Sequence, residues 1–126
     1  MKYLHTMIRV VDLDRSIRFY TNGLGFTLVS RNDYPDGKFT LAFLRSGTSD
    51  KDPLIELTHN WETAAYELGN AYGHVAYQVD SITKVQERLR KHGYDLSWGP
   101  GDTPSGGTRM AFVDDPDGYE IELLEG

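Results

Sequence analysis

Alternating apolar and polar positions predict a first strand at His5 to Val11 (HTMIRVV), with Thr6, Ile8 and Val10 on one face and His5, Met7 and Arg9 on the other. Helical spacing takes over next. Leu13, Ile17, Tyr20 and Leu24 line one side of a helix that Asp12 can cap and that Gly23 and Gly25 can stop. Strand-like runs follow at Phe26 to Arg31, Phe39 to Leu44 and Leu54 to Asn60, separated by Pro35-Asp36-Gly37 and by the polar stretch Ser46 to Pro53. The first half therefore reads β-α-β-β-β.

The second half repeats that order. Sliding the chain by 69 residues lays His74 on His5, Val79 on Val10 and Ala111-Phe112-Val113 on Ala42-Phe43-Leu44; a shift of 66 lays Ile121-Glu122-Leu123 on Ile55-Glu56-Leu57. The second helix is expected to have Asp80 as cap, Ile82, Val85 and Leu89 on its apolar face, Arg88, Arg90 and Lys91 in its last turn, and Gly93 as stop. The expected architecture is α+β: one domain over residues 1–126, with module one at about 1–60, a connector at about 61–72 and module two at about 73–126. Two long unequal units cannot stack as a solenoid, so this is a duplication.

Composition narrows the chemistry. Hydrophobic residues at 39% and charged residues at 25% suit a soluble packed protein. Nineteen acidic against thirteen basic residues oppose non-specific binding to nucleic acid or anionic membranes. His5, Arg9, Asp12 and Asp14 interrupt any apolar run near the start, so no signal peptide or membrane span is expected, and a cytoplasmic location is. With no cysteine in the chain, any metal must be held by His, Asp or Glu.

Each module carries a His on its first strand and a Glu on its last, giving His5 and Glu56, then His74 and Glu122. Either Glu alone would read as a surface carboxylate. If the flanking Ile55 and Leu57, or Ile121 and Leu123, face the core, however, each Glu points to the opposite side of its sheet. Two imidazoles and two carboxylates facing a common space call for a partner cation. The donor set suits Ni, Zn, Co, Fe or Mn, and the open positions on such an ion point to turnover.

The segments LHTMIRVVDLDRSIRFYTNGLGF, FTLAFL, IELTHNWE, LGNAYGHVAYQVD and AFVDDPDGYEIELLE resemble the glyoxalase I family of the vicinal oxygen chelate superfamily over nearly the whole chain. The resemblance implies curved mixed sheets forming a metal-binding cleft at a homodimer interface. The ligands would be His5, Glu56, His74 and Glu122, matched in HTM, IEL, YGHVA and YEIEL, with the first pair of one subunit meeting the second pair of the other. It also implies the reaction: the hemithioacetal of methylglyoxal and glutathione is isomerised to S-D-lactoylglutathione by proton transfer through an enediolate, with Glu122 as principal base and Glu56 as the second acid/base. Arg9 would hold the glutamyl carboxylate of glutathione, and Asn60 would supply an amide contact.

Short relatives of this kind are nickel- or cobalt-activated, and the chain lacks the longer amino-terminal extension of the zinc-using forms, so Ni(2+) is expected, with Co(2+) or Zn(2+) as alternatives. The chain departs from the pattern at Asn70, where some relatives carry Arg, and at Ser105, where many carry Lys; Arg109 is the nearby cation. The superfamily also hosts dioxygenases, epimerases and metal-free drug-binding proteins, which leaves those readings as alternatives. Asp114 to Gly118 is expected to be a turn without a site role. Neither Gly23-Leu24-Gly25 nor Gly106-Gly107 has phosphate-loop spacing. His59 and His92, outside the repeated positions, read as structural or solvated.

Overall fold

The computed structural model describes residues 1–126. It divides into two compact units, one of Met1–Thr21 with Gly25–Glu67, the other of Asn22–Leu24 with Leu68–Gly126.

The first unit is a four-stranded mixed sheet with one helical segment. Strand β1 (His5–Arg9) leads into helix α1 (Leu13–Arg18), and strands β2 (Thr27–Tyr34), β3 (Phe39–Arg45) and β4 (Leu54–Asn60) follow. The sheet order is β1-β4-β3-β2, with β1 parallel to β4 and the other pairs antiparallel. Asp12 caps α1 as expected, its carboxylate accepting from the Arg15 amide at 3.1 Å. The α-helix itself is shorter than the apolar spacing suggests. After Arg18 the chain widens into a π-helical turn, Phe19–Gly23, before Gly25 turns it at φ 79°. That widening rotates Phe19 and Tyr20 together into the core and leaves Ile17 only half-buried, with Ser16 buried beside Leu13. Helix α1 packs against β4, where Ile55 and Leu57 meet Ala42 and Leu44 of β3, Ile8 of β1 and Val10 just after it as core residues.

The second unit has the same topology. Strand β5 (His74–Val79), helix α2 (Ile82–Lys91) and strands β6 (Trp98–Asp102), β7 (Arg109–Asp114) and β8 (Glu120–Glu125) form a sheet of order β5-β8-β7-β6. Again the first strand runs parallel to the last. The expected cap, Asp80, is displaced by one residue: Ser81 is the N-cap and its hydroxyl accepts from the Lys84 amide at 3.2 Å. Both residue types serve this role, and the spacing to the first buried position, Ile82, cannot separate neighbours. The Ile82 amide is taken up instead by the Glu125 carboxylate at 2.9 Å, which ties the helix start to β8. Ile82 and Leu89 are fully buried against β7 and β8, Val85 only partly, and Gly93 ends the helix at φ 87°. No helix is long and apolar enough to cross a membrane.

The turn at Asp114 to Gly118 is fixed by more than its Pro and Gly. Asp115 is buried, and its Oδ1 accepts from the amides of Asp117 and Tyr119, both at 2.9 Å, while Gly118 takes φ 94°. This loop sets where β8, and so Glu122, begins.

Candidate metal centre

Strict alternation creates the site. In β3 and β4, Ala42, Leu44, Ile55 and Leu57 point to the core, so Phe43 and Glu56 emerge on the opposite face. On β1, Ile8 is buried while His5, Met7 and Arg9 are exposed. The parallel register sets His5 opposite Leu54 and Met7 opposite Glu56, so His5 and Glu56 are diagonal neighbours on one face. His5 Nε2 lies 3.7 Å from Glu56 Oε1, and the Phe43 ring meets the imidazole edge-on at 5.4 Å between centroids.

The second unit reproduces this arrangement. His74 pairs with Glu120 and Ala76 with Glu122, and His74 Nε2 lies 3.5 Å from Glu122 Oε2. Phe112 meets His74 edge-on at 5.7 Å. One contact has no counterpart in the first unit: Glu120 Oε1 lies 3.7 Å from His74 Nδ1. Glu56 is nearly buried and Glu122 half-buried, while both imidazoles stay accessible.

Each His–Glu pair fits two ligands of one cation. Donors about 2.1 Å from a shared ion at a tetrahedral angle lie about 3.4 Å apart, close to both observed separations. Imidazole nitrogen with carboxylate oxygen is the borderline donor set expected for a first-row divalent metal. No group of three or more His, Asp or Glu side chains within the chain gathers closely enough to hold an ion. Each pair thus supplies two donors and leaves the rest of a coordination shell to other groups.

The remaining expected site residues lie in less defined places. Arg9 is exposed at the end of β1 opposite Thr58, and Asn60 is half-exposed at the end of β4, so both sit at the same end of a parallel strand pair. Arg109 is exposed at the start of β7, opposite Asp102. Ser105 is on an exposed loop with its hydroxyl 3.2 Å from that of Thr103, and Asn70 lies in an exposed turn. His59 Nδ1 stands 3.4 Å from the Val10 carbonyl, and His92 caps α2, which fits structural roles. Glu120, Phe43 and Phe112, which the sequence pattern does not single out, also stand against the imidazoles. Strand parity with Glu122 was the available signal for Glu120, and the 69-residue shift joins the two Phe.

Residues 2–123 match the family model described as the Glyoxalase/Bleomycin resistance protein/Dioxygenase superfamily, and the chain belongs to that superfamily. Within it, the likeness is to glyoxalase I. A lactoylglutathione lyase of Neisseria meningitidis is 48% identical over 99% of this chain and 91% of its own length. The crystal structure of glyoxalase I from Zea mays superposes with a TM-score of 0.92 at 38% identity, and this chain spans 99% of itself but only 44% of the maize chain. The trypanothione-dependent glyoxalase I of Leishmania major superposes with a TM-score of 0.84 at 44% identity, over 99% of this chain and 86% of that one.

Proposed function

We propose that the chain is a metal-dependent lactoylglutathione lyase that converts the hemithioacetal of methylglyoxal and glutathione to S-D-lactoylglutathione, working in the cytoplasm as a homodimer. The observation that carries this reading is the duplicated His–Glu pair, set at 3.7 and 3.5 Å by the same strand register in both units. It is supported by near-full-length similarity to lactoylglutathione lyases.

His5, Glu56, His74 and Glu122 would hold the metal, the first pair of one subunit joined by the second pair of its partner. Two donors per pair suit this division. The exposure of Tyr3, Leu4 and Met7 around His5 also suits a surface covered by another chain. The bound dication, for which Ni(2+) is the expected choice, supplies Lewis-acid stabilisation of the charge that develops on the substrate oxygens.

The chain's own residues do the rest. Glu122 takes the proton from the carbon bearing the sulfur, and the enediolate is reprotonated at the neighbouring carbon, with Glu56 as the second acid/base. The Phe43 and Phe112 rings stand edge-on against the two imidazoles. Arg9 pairs with a carboxylate of the thiol through a charge-assisted hydrogen bond, and Asn60 adds an amide contact.

The test strips the protein, restores Ni, Co, Zn, Mn or Fe separately, and follows thioester formation from methylglyoxal with glutathione and, in parallel, with trypanothione. Metal-dependent thioester formation is expected, greatest with nickel. A protein that binds the thiol adduct without turnover under every metal would overturn the proposal in favour of ligand sequestration.

A further inference from the structure

The two pairs are near copies, which makes their one difference informative. His5 and His74 hold the same place in their strands, each has a Glu two register positions along the parallel partner, and each meets a Phe edge at 5.4 or 5.7 Å. Directly opposite His5 stands Leu54, and directly opposite His74 stands Glu120. His5 therefore has one carboxylate neighbour, Glu56, on its Nε2 side. His74 has two: Glu122 at 3.5 Å from Nε2 and Glu120 at 3.7 Å from Nδ1.

From this asymmetry we propose that Glu120 is a positioning residue for His74, accepting the Nδ1 proton so that Nε2 carries the lone pair offered to a metal. The tautomer and orientation of an imidazole are set by the bond its other nitrogen makes. Glu120 is exposed on β8, and a side-chain torsion would close 3.7 Å to a hydrogen-bond distance of about 2.9 Å. The contact of Glu120 is with Nδ1, while Nε2 is approached by Glu122. Leu54 can accept no proton, so His5 chooses its tautomer without such help. The second pair is thus the tighter half of the centre.

This inference rests on the proposed metal centre, and the experiment separates the two. The metal-stripped full-length protein is titrated with Co(2+) against a chromogenic chelator, for the wild type and for Glu120→Leu, Glu120→Gln and Leu54→Glu. Glu120→Leu is expected to weaken cobalt binding about tenfold, the low end for loss of such a carboxylate partner. Glu120→Gln, whose amide oxygen still accepts the Nδ1 proton, is expected to recover most of that loss, and Leu54→Glu to tighten binding by giving His5 the same support. Equal thermal melting of the metal-free proteins excludes a folding defect. Wild-type protein that takes up no cobalt would overturn the metal centre itself. Wild-type uptake with an unchanged dissociation constant in Glu120→Leu would overturn only the role of Glu120, and so would a Glu120→Gln protein as weak as Glu120→Leu.

Discussion

Asp115 offers a direct test of what holds the turn that leads into β8. Replacing it with Ala removes the acceptor for two amides at once, those of Asp117 and Tyr119, each now bonded at 2.9 Å. The Tyr119 amide is buried, so its loss carries the full cost of an unsatisfied donor, about 1–3 kcal/mol. The Asp117 amide is only part-buried and can turn to water, which limits its share to about 1 kcal/mol. The expected destabilisation is therefore about 2–4 kcal/mol, a large part of the total for a domain stable by roughly 5–15 kcal/mol. Asp115→Asn keeps the one kind of oxygen that both amides use and loses only the charge, so it should cost clearly less than Asp115→Ala. Urea denaturation of the three proteins measures these differences through the midpoint at constant slope. An Asp115→Ala protein within about 0.5 kcal/mol of wild type would refute the reasoning, because only an already solvated turn could be so indifferent.

Further expectations concern the site and the helices. Glu122→Gln should lower kcat about a hundredfold or more in a metal-loaded protein, since general-base catalysis contributes on that scale; steady-state kinetics with metal content measured alongside would decide it. Asp14 is hydrogen-bonded to Arg31, which lowers its pKa through that bond first and the guanidinium charge second. A lowered folded-state pKa means stability that is present above the ordinary carboxylate range and lost as pH falls through the folded value. The difference between wild type and Asp14→Asn should accordingly be constant near neutrality and shrink in acid, which thermal melts across pH would reveal. Ser81→Ala should cost about 1 kcal/mol by removing the α2 cap, with Asp80→Ala close to neutral, and the same melts distinguish them.

Some of this protein is written plainly in local pattern. Strand alternation around Glu56 and Glu122 is enough to turn both carboxylates from the core, because successive side chains of a strand must face opposite ways. The 69-residue shift pairs His5 with His74, and the glycine at 93 and the cap at Asp12 follow from backbone geometry and short-range hydrogen bonding. Other features depend on what lies across the sheet or beneath the helix. The π turn at Phe19–Gly23 arises because Phe19 and Tyr20 both enter the core, a packing demand that overrides the simple helical period. Ser81 rather than Asp80 caps α2 because the chain must also deliver the Ile82 amide to Glu125, a residue 43 positions away. The registers of β1 on β4 and of β5 on β8 bring Leu54 opposite His5 and Glu120 opposite His74. No single strand carries that information, since lateral pairing is fixed by the sheet as a whole and by the Asp115 turn that starts β8. The two repeated His–Glu pairs were legible in the sequence; which carboxylate stands beside which imidazole nitrogen was decided by the tertiary structure.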